Sequence, residues 1–145
     1  AEQFYRESRD MFRQINSSPD MARANHSLAW VKLAHGDTME ARVLFAEARA
    51  LHEQLGIKRG VAECVAGQAA VLAAEGEAET AVSLFSAVRA RFAQLGTNLW
   101  PADNHDLEKY LAAARSQLDK TTFDTAWERG QSLAFPRVLV LAAGR

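Results

Sequence analysis

Residues 36–56, GDTMEARVLFAEARALHEQLG, and residues 76–96, GEAETAVSLFSAVRARFAQLG, decide the fold. Each begins and ends on glycine, and between the glycines the apolar side chains recur at helical spacing. Ala41, Leu44, Phe45, Ala48, Leu51 and Leu55 fall on one stripe; Ala81, Leu84, Phe85, Val88, Phe92 and Leu95 repeat it. Gly36 and Gly76 stand where a left-handed residue ends a preceding helix, and Gly56 and Gly96 close the helix that follows.

Outward from these stretches the period holds. Residues 21–56 laid over 61–96 without a gap give thirteen identities, among them Ala29/Ala69, Gly36/Gly76, Phe45/Phe85, Arg49/Arg89 and Gly56/Gly96. The same 40-residue register runs backward, pairing Tyr5 with Phe45, Arg9 with Arg49 and Ile15 with Leu55. A fixed period in this range is the mark of a solenoid of stacked helix pairs. Residues 1–16 read as the second helix of a truncated repeat, with Ala1, Phe4, Tyr5, Ser8, Phe12 and Ile15 on its apolar side. The chain reads as a piece of a longer protein, cut at both ends.

After Gly96 the period breaks. Trp100-Pro101 opens a non-helical stretch, and Asp103 is placed to cap a helix whose stripe is Leu107, Tyr110, Leu111, Ala114 and Leu118. Asp119 or Thr121 starts the next helix, with Phe123, Ala126 and Trp127 inward and Gly130 closing it. A last helix runs from about Phe135 to Ala142, with Pro136 in its first turn. Residues 103–143 therefore serve as helices that cap the array, as atypical terminal repeats do. The expectation is one all-α domain over residues 1–145.

The repeat resembles the tetratricopeptide family, which places Ala, a large aromatic and Ala at five, nine and twelve residues after the turn glycine. Here Gly36 is followed by Ala41, Phe45 and Ala48, and Gly76 by Ala81 and Phe85. Val88 replaces the last Ala, the helix-ending proline is absent, and the period is longer than that family's usual 34. The resemblance implies antiparallel helix pairs wound into a right-handed α-α superhelix. The tail, from Leu95-Gly96 through Pro101-Ala102-Asp103, Tyr110, Ala112-Ala113-Ala114-Arg115, Leu118, Phe123, Ala126-Trp127 and Gly130, looks like the closing segment of large LuxR-type bacterial regulators that carry an NTPase domain. So do the joints Leu55-Gly56, Arg59-Gly60 and Ala62-Glu63. That likeness implies a non-catalytic sensor region of a transcriptional regulator, binding a protein, a peptide or a small-molecule inducer. A stand-alone interaction adaptor or a homodimerising module is the alternative, because open solenoid ends stack.

Composition narrows the classes. With 48% hydrophobic and 24% charged residues the chain is globular. A net charge of -1, with no Lys/Arg run longer than two, lacks the footprint of a nucleic-acid binder. The longest wholly apolar stretch, Val138 to Ala143, is far too short to span a bilayer. One cysteine, Cys64, fits a reducing, cytoplasmic setting and aligns with Ala24 as a small packing position.

Motifs for chemistry are missing: no HExxH, GxSxG or GxxxxGK[ST], and no histidine pair at metal-ligand spacing among His26, His35, His52 and His105, which read as solvated helix residues. Glu75, Glu77 and Glu79 read as surface charge at a turn. Neither catalysis nor a cofactor or metal is expected. Carried across from the family, the concave groove comprises Arg23, His26, Ser27 and Trp30 from one repeat and Glu63, Ala66, Gly67 and Ala70 from the next. Trp30 has two readings there, a ligand anchor or a core residue.

Overall fold

The computed structural model describes residues 1–14 and 18–144, and every regular element among them is helical. The helices are α1 (Glu2–Gln14), α2 (Ser18–Ala34), α3 (Thr38–Leu55), α4 (Lys58–Ala74), α5 (Ala78–Leu95), α6 (Pro101–Ser116), α7 (Lys120–Ser132) and α8 (Phe135–Ala142). Both bounds of α2 recur 40 residues later in α4, and both bounds of α3 recur in α5.

The main hydrogen bonds of the turns recur at the same 40-residue spacing. After α2 the Asp37 amide donates to the Lys32 carbonyl at 2.9 Å, and after α4 the Glu77 amide donates to Leu72 at 2.9 Å. After α3 the Ile57 amide reaches His52 at 2.9 Å, and after α5 the Thr97 amide reaches Phe92 at 3.1 Å. The pivots are Gly36 and Gly76, at φ of 83° and 88°, and Gly56 and Gly96, at 70° and 67°. Only glycine adopts that backbone without strain, so the period seen in the sequence is a period of chain reversals. Asp37 adds a true N-cap on α3, its carboxylate accepting from the Glu40 amide at 3.1 Å.

Two compact units make up the chain, Ala1–Gly67 and Gln68–Arg145, with α4 running from one into the other. In the first, α2 packs against α1 and α3. Its core is small and aromatic: Ala22, Leu28, Ala29, Ala41, Phe45, Ala48, Ala62, Cys64 and Val65 are all fully buried. Of the predicted α1 stripe, Phe4 is 65% exposed; Ile15 and the side chain of Phe12 lie outside the described residues.

In the second unit α5 is the central rod, buried continuously from Ala81 to Val88 and contacted by α6, α7 and α8. The closest seat is that of α7. Ser83 Oγ donates to the Ala126 carbonyl at 2.9 Å, Ser86 Oγ donates to the Trp127 carbonyl at 2.7 Å, and Gly130 lies directly against the Ser83 backbone. Short side chains on both helices make that approach possible, and the cross-helix bonds satisfy the two buried hydroxyls.

Two boundaries differ from expectation. Helix α6 begins at Pro101 rather than after Asp103, because proline at the first helical position already has helical φ and needs no amide partner. Gly130 lies inside α7, which continues to Ser132; the glycine is there for closeness to α5 and not as a stop. Asp119 is the cap of α7, its carboxylate accepting from the Thr122 amide at 2.7 Å.

Candidate functional site

The predicted groove positions fall into two groups. Arg23 is exposed on α2, and His26, Ser27, Trp30 and Glu63 are partly buried. Ala66, Gly67 and Ala70 are all buried. The small residues of α4 are thus closed off by packing, and the accessible part of the set is the α2 face with Glu63 beside it.

Trp30 and His26 are one helical turn apart, and the indole N–H donates to His26 Nε2 at 3.2 Å. Phe45 of α3 closes the group edge-on, its ring centroid 5.3 Å from Trp30 and 5.6 Å from His26. The structure places Cys64 Sγ 3.8 Å from His26 Nδ1. Because Nε2 accepts from Trp30, the proton of the neutral imidazole belongs on Nδ1, facing the sulfur.

Burial pushes the His26 pKa down to about 4, and the nearby His52 and Arg23 push in the same direction. His52 is lowered too, first by burial and then by Arg23. These two histidines are therefore neutral packing groups rather than solvated ones, a correction to the sequence reading; His35 and His105 are exposed as expected. The correction has a simple cause. Gly60 leaves room for the His52 ring on α4, and Gly67 leaves room for Phe45, so α3 settles deeply enough to enclose both imidazoles.

The Cys64 and His26 pair is poorly arranged for nucleophilic chemistry. A base must accept the thiol proton, yet the nitrogen facing Sγ already carries one, and the other nitrogen is engaged by Trp30. Cys64 is also fully buried. Among the described residues no group of three or more His, Cys, Asp or Glu side chains is placed to hold a metal ion, and no helix is long and apolar enough to cross a membrane. Asn25 Oδ1 and His52 Nδ1 are among the buried side-chain atoms of this unit that have no hydrogen-bond partner among the described residues.

The arrangement is a partly buried indole and imidazole backed by Phe45, with the exposed Arg23 on the same helix and an Arg59–Glu63 pair, 3.6 Å apart, on α4. Phe45, His52 and Cys64 were missed as members of the cluster. The register did carry a signal, since His26 and Trp30 have Ala66 and Ala70 as their counterparts. Two bulky polar aromatics where the sister repeat has alanine mark the face on which the repeats differ.

No protein-family model, no curated protein and no solved structure matches the chain.

Proposed function

We propose that the chain is a non-catalytic binding scaffold, a tetratricopeptide-like right-handed α-α superhelix serving as the ligand- or protein-binding sensor region of a bacterial, cytoplasmic transcriptional regulator. The observation that carries the scaffold part is the recurrence, at 40 residues, of helix bounds and turn hydrogen bonds together. Such arrays spend their sequence on stacking and present variable side chains on one face. Here that variable face holds Arg23, His26, Ser27 and Trp30. The regulator part rests on the resemblance of the 95–130 tail.

The reading frame on either side of this segment tests the second part: an NTPase or DNA-binding effector domain in the same polypeptide is expected, and its absence ends the regulator reading. Small-angle scattering tests the first, since a superhelix gives an elongated particle with a concave profile and a closed bundle does not.

A second reading, a homo-oligomerising adaptor, is favoured by one observation. Leu44 and Leu84, which occupy the same register position as Phe4, are 3% and 0% exposed, whereas Phe4 is 65% exposed and Met11 on the same helix 59%. That apolar side of α1 would be covered either in a self-assembled array or by a preceding helix of the same polypeptide. Sedimentation velocity across a wide concentration range decides it: a strict monomer rules the adaptor out.

A further inference from the structure

Independently of the α2 face, the second unit contains a cavity of about 500 Å³ between α5, α6 and α7, lined by Arg89, Glu108, Leu111, Arg115, Ser116 and Trp127 among others. That volume is in the range of small-molecule sites. Glu108, Leu111 and Arg115 lie on one face of α6 by helical spacing, and Leu111 supplies a buried apolar wall. Trp127 is stacked on Phe123, with centroids 5.9 Å apart and planes 16° from parallel.

The charges are unequal in their commitments. Arg89 is paired with Glu108 at the cavity wall, and its guanidinium lies 5.9 Å from the Trp127 ring centroid. Arg115 forms no ion pair among the described residues; its guanidinium lies 4.2 Å from the Phe123 ring centroid. A guanidinium held against an aromatic ring keeps its in-plane N–H fork available, and that fork matches a carboxylate. The Ser116 hydroxyl is committed to the Ala113 carbonyl at 2.7 Å, so it does not compete for the arginine. The cavity therefore combines a tryptophan, an apolar wall and one uncompensated cation.

We propose that this cavity is a binding site for a small planar carboxylate, an aromatic acid whose ring lies against Trp127 and Leu111 and whose carboxylate is held by Arg115. A neutral ring of the same shape leaves that guanidinium without its counter-charge. A cationic one is repelled by it.

The test uses 2-naphthoate and its neutral isostere 2-naphthamide, titrated into the full chain and followed by amide and indole N–H chemical shifts. Saturable shifts at the Trp127 indole and along residues 108–116 are expected for naphthoate, with naphthamide binding at least about tenfold more weakly. Arg115→Gln should remove that preference by weakening naphthoate about tenfold. Arg115→Lys, which keeps the charge, should retain a preference for the acid. Any of four results overturns the proposal: no naphthoate shifts up to about 10 mM, equal affinity for the two compounds, shifts confined to other parts of the chain, or an acid preference unaffected by Arg115→Gln. Should Arg115→Gln fail to fold, Arg115→Lys decides: loss of the acid preference in a folded, charge-retaining protein also overturns it.

Discussion

The ring of Phe45 occupies the space that a side chain at Gly67 would need. Seven residues further along α3, the ring of His52 stands in the same relation to Gly60, seven residues back along α4. Two large rings on one helix thus enter two glycine gaps on the antiparallel neighbour, and the closeness of α3 and α4 in the first unit follows from both.

Gly67→Ala is therefore expected to destabilise the protein although it improves helix propensity. Alanine contributes up to about 1 kcal/mol over glycine in a helix interior, while overpacking a closed core costs about 1–3 kcal/mol. A net loss of up to about 2 kcal/mol should appear in urea unfolding. Phe45→Leu in the same chain should recover part of it, because the smaller side chain reopens the gap. A stabilised Gly67→Ala protein would show that Phe45 does not fill this position.

Gly130→Ala should be worse. Its added methyl meets the Ser83 carbonyl, and backbone in the middle of a buried helix cannot step aside as a ring can. Both the Ser83 and Ser86 bonds to α7 would lengthen with it. A loss of about 3 kcal/mol is expected in denaturant unfolding, with the far-UV helical signal little changed, and a loss below that of Gly67→Ala would contradict the geometry.

The repeat was legible because it is punctuated by glycines whose backbone no other residue adopts easily, and because Ala41, Phe45, Ala81 and Phe85 recur at one spacing. Helix α8 was legible for the same kind of reason, with Pro136 fixing its first turn. The roles of Gly60, Gly67 and Gly130 were not. A glycine that makes room for a neighbouring helix has no local signature and reads as a stop or as a poor helix former. The same blindness hid His26 and His52. Their burial depends on side chains from α3 and α4 meeting across these gaps, which the spacing along any single helix does not reveal.

Four charged groups tie α1 to the rest of the first unit. Lys32 Nζ lies 2.7 Å from Glu2 and 3.2 Å from Glu40, and Arg6 lies 3.3 Å and 2.7 Å from the same two carboxylates. Hydrogen bonds from Lys32 and Arg6 hold the carboxyls of Glu2 and Glu40 below their ordinary value of 4.5. Depressed acid values mean that this contribution is present above pH 4.5 and lost as the pH falls through the lower folded values. The groups are solvent-accessible, so salt should weaken them as acid does. Amide protection factors in α1, corrected for the intrinsic slowing of exchange in acid, should fall below pH 4.5 and at high salt before those in α3 do; a parallel fall in both helices would exclude a local tether.

Stability should also fall with acid through His26. Its folded pKa of about 4 lies below the ordinary 6.5, so between those values the unfolded chain takes up a proton that the folded chain refuses. The contribution is complete above pH 6.5 and declines down to about 4, amounting to at most about 3 kcal/mol. His52, lowered in the same direction, adds to the slope. Unfolding free energies measured across this window should flatten in His26→Gln. An unchanged slope in that variant would place the titration elsewhere.

Trp30 touches both His26 and Phe45, and two substitutions separate these structural contacts from the anchoring role proposed for it. Trp30→Phe can preserve the edge contact with Phe45 but removes the N–H that blocks His26 Nε2, so that nitrogen becomes free to take a proton. The His26 pKa, followed by imidazole chemical shifts, should rise above about 4. Trp30→Ala also loses the contact with Phe45, and since the indole is only partly buried the cost should be about 2 kcal/mol rather than the 3–5 kcal/mol of a full core truncation such as Phe45→Ala. If Trp30 anchors a partner on the α2 face, Trp30→Ala weakens that binding by a further 2 kcal/mol or about thirtyfold, measured under conditions where the variant is fully folded. Binding that is unchanged in the folded variant would make Trp30 a structural residue alone and move the recognition surface away from α2.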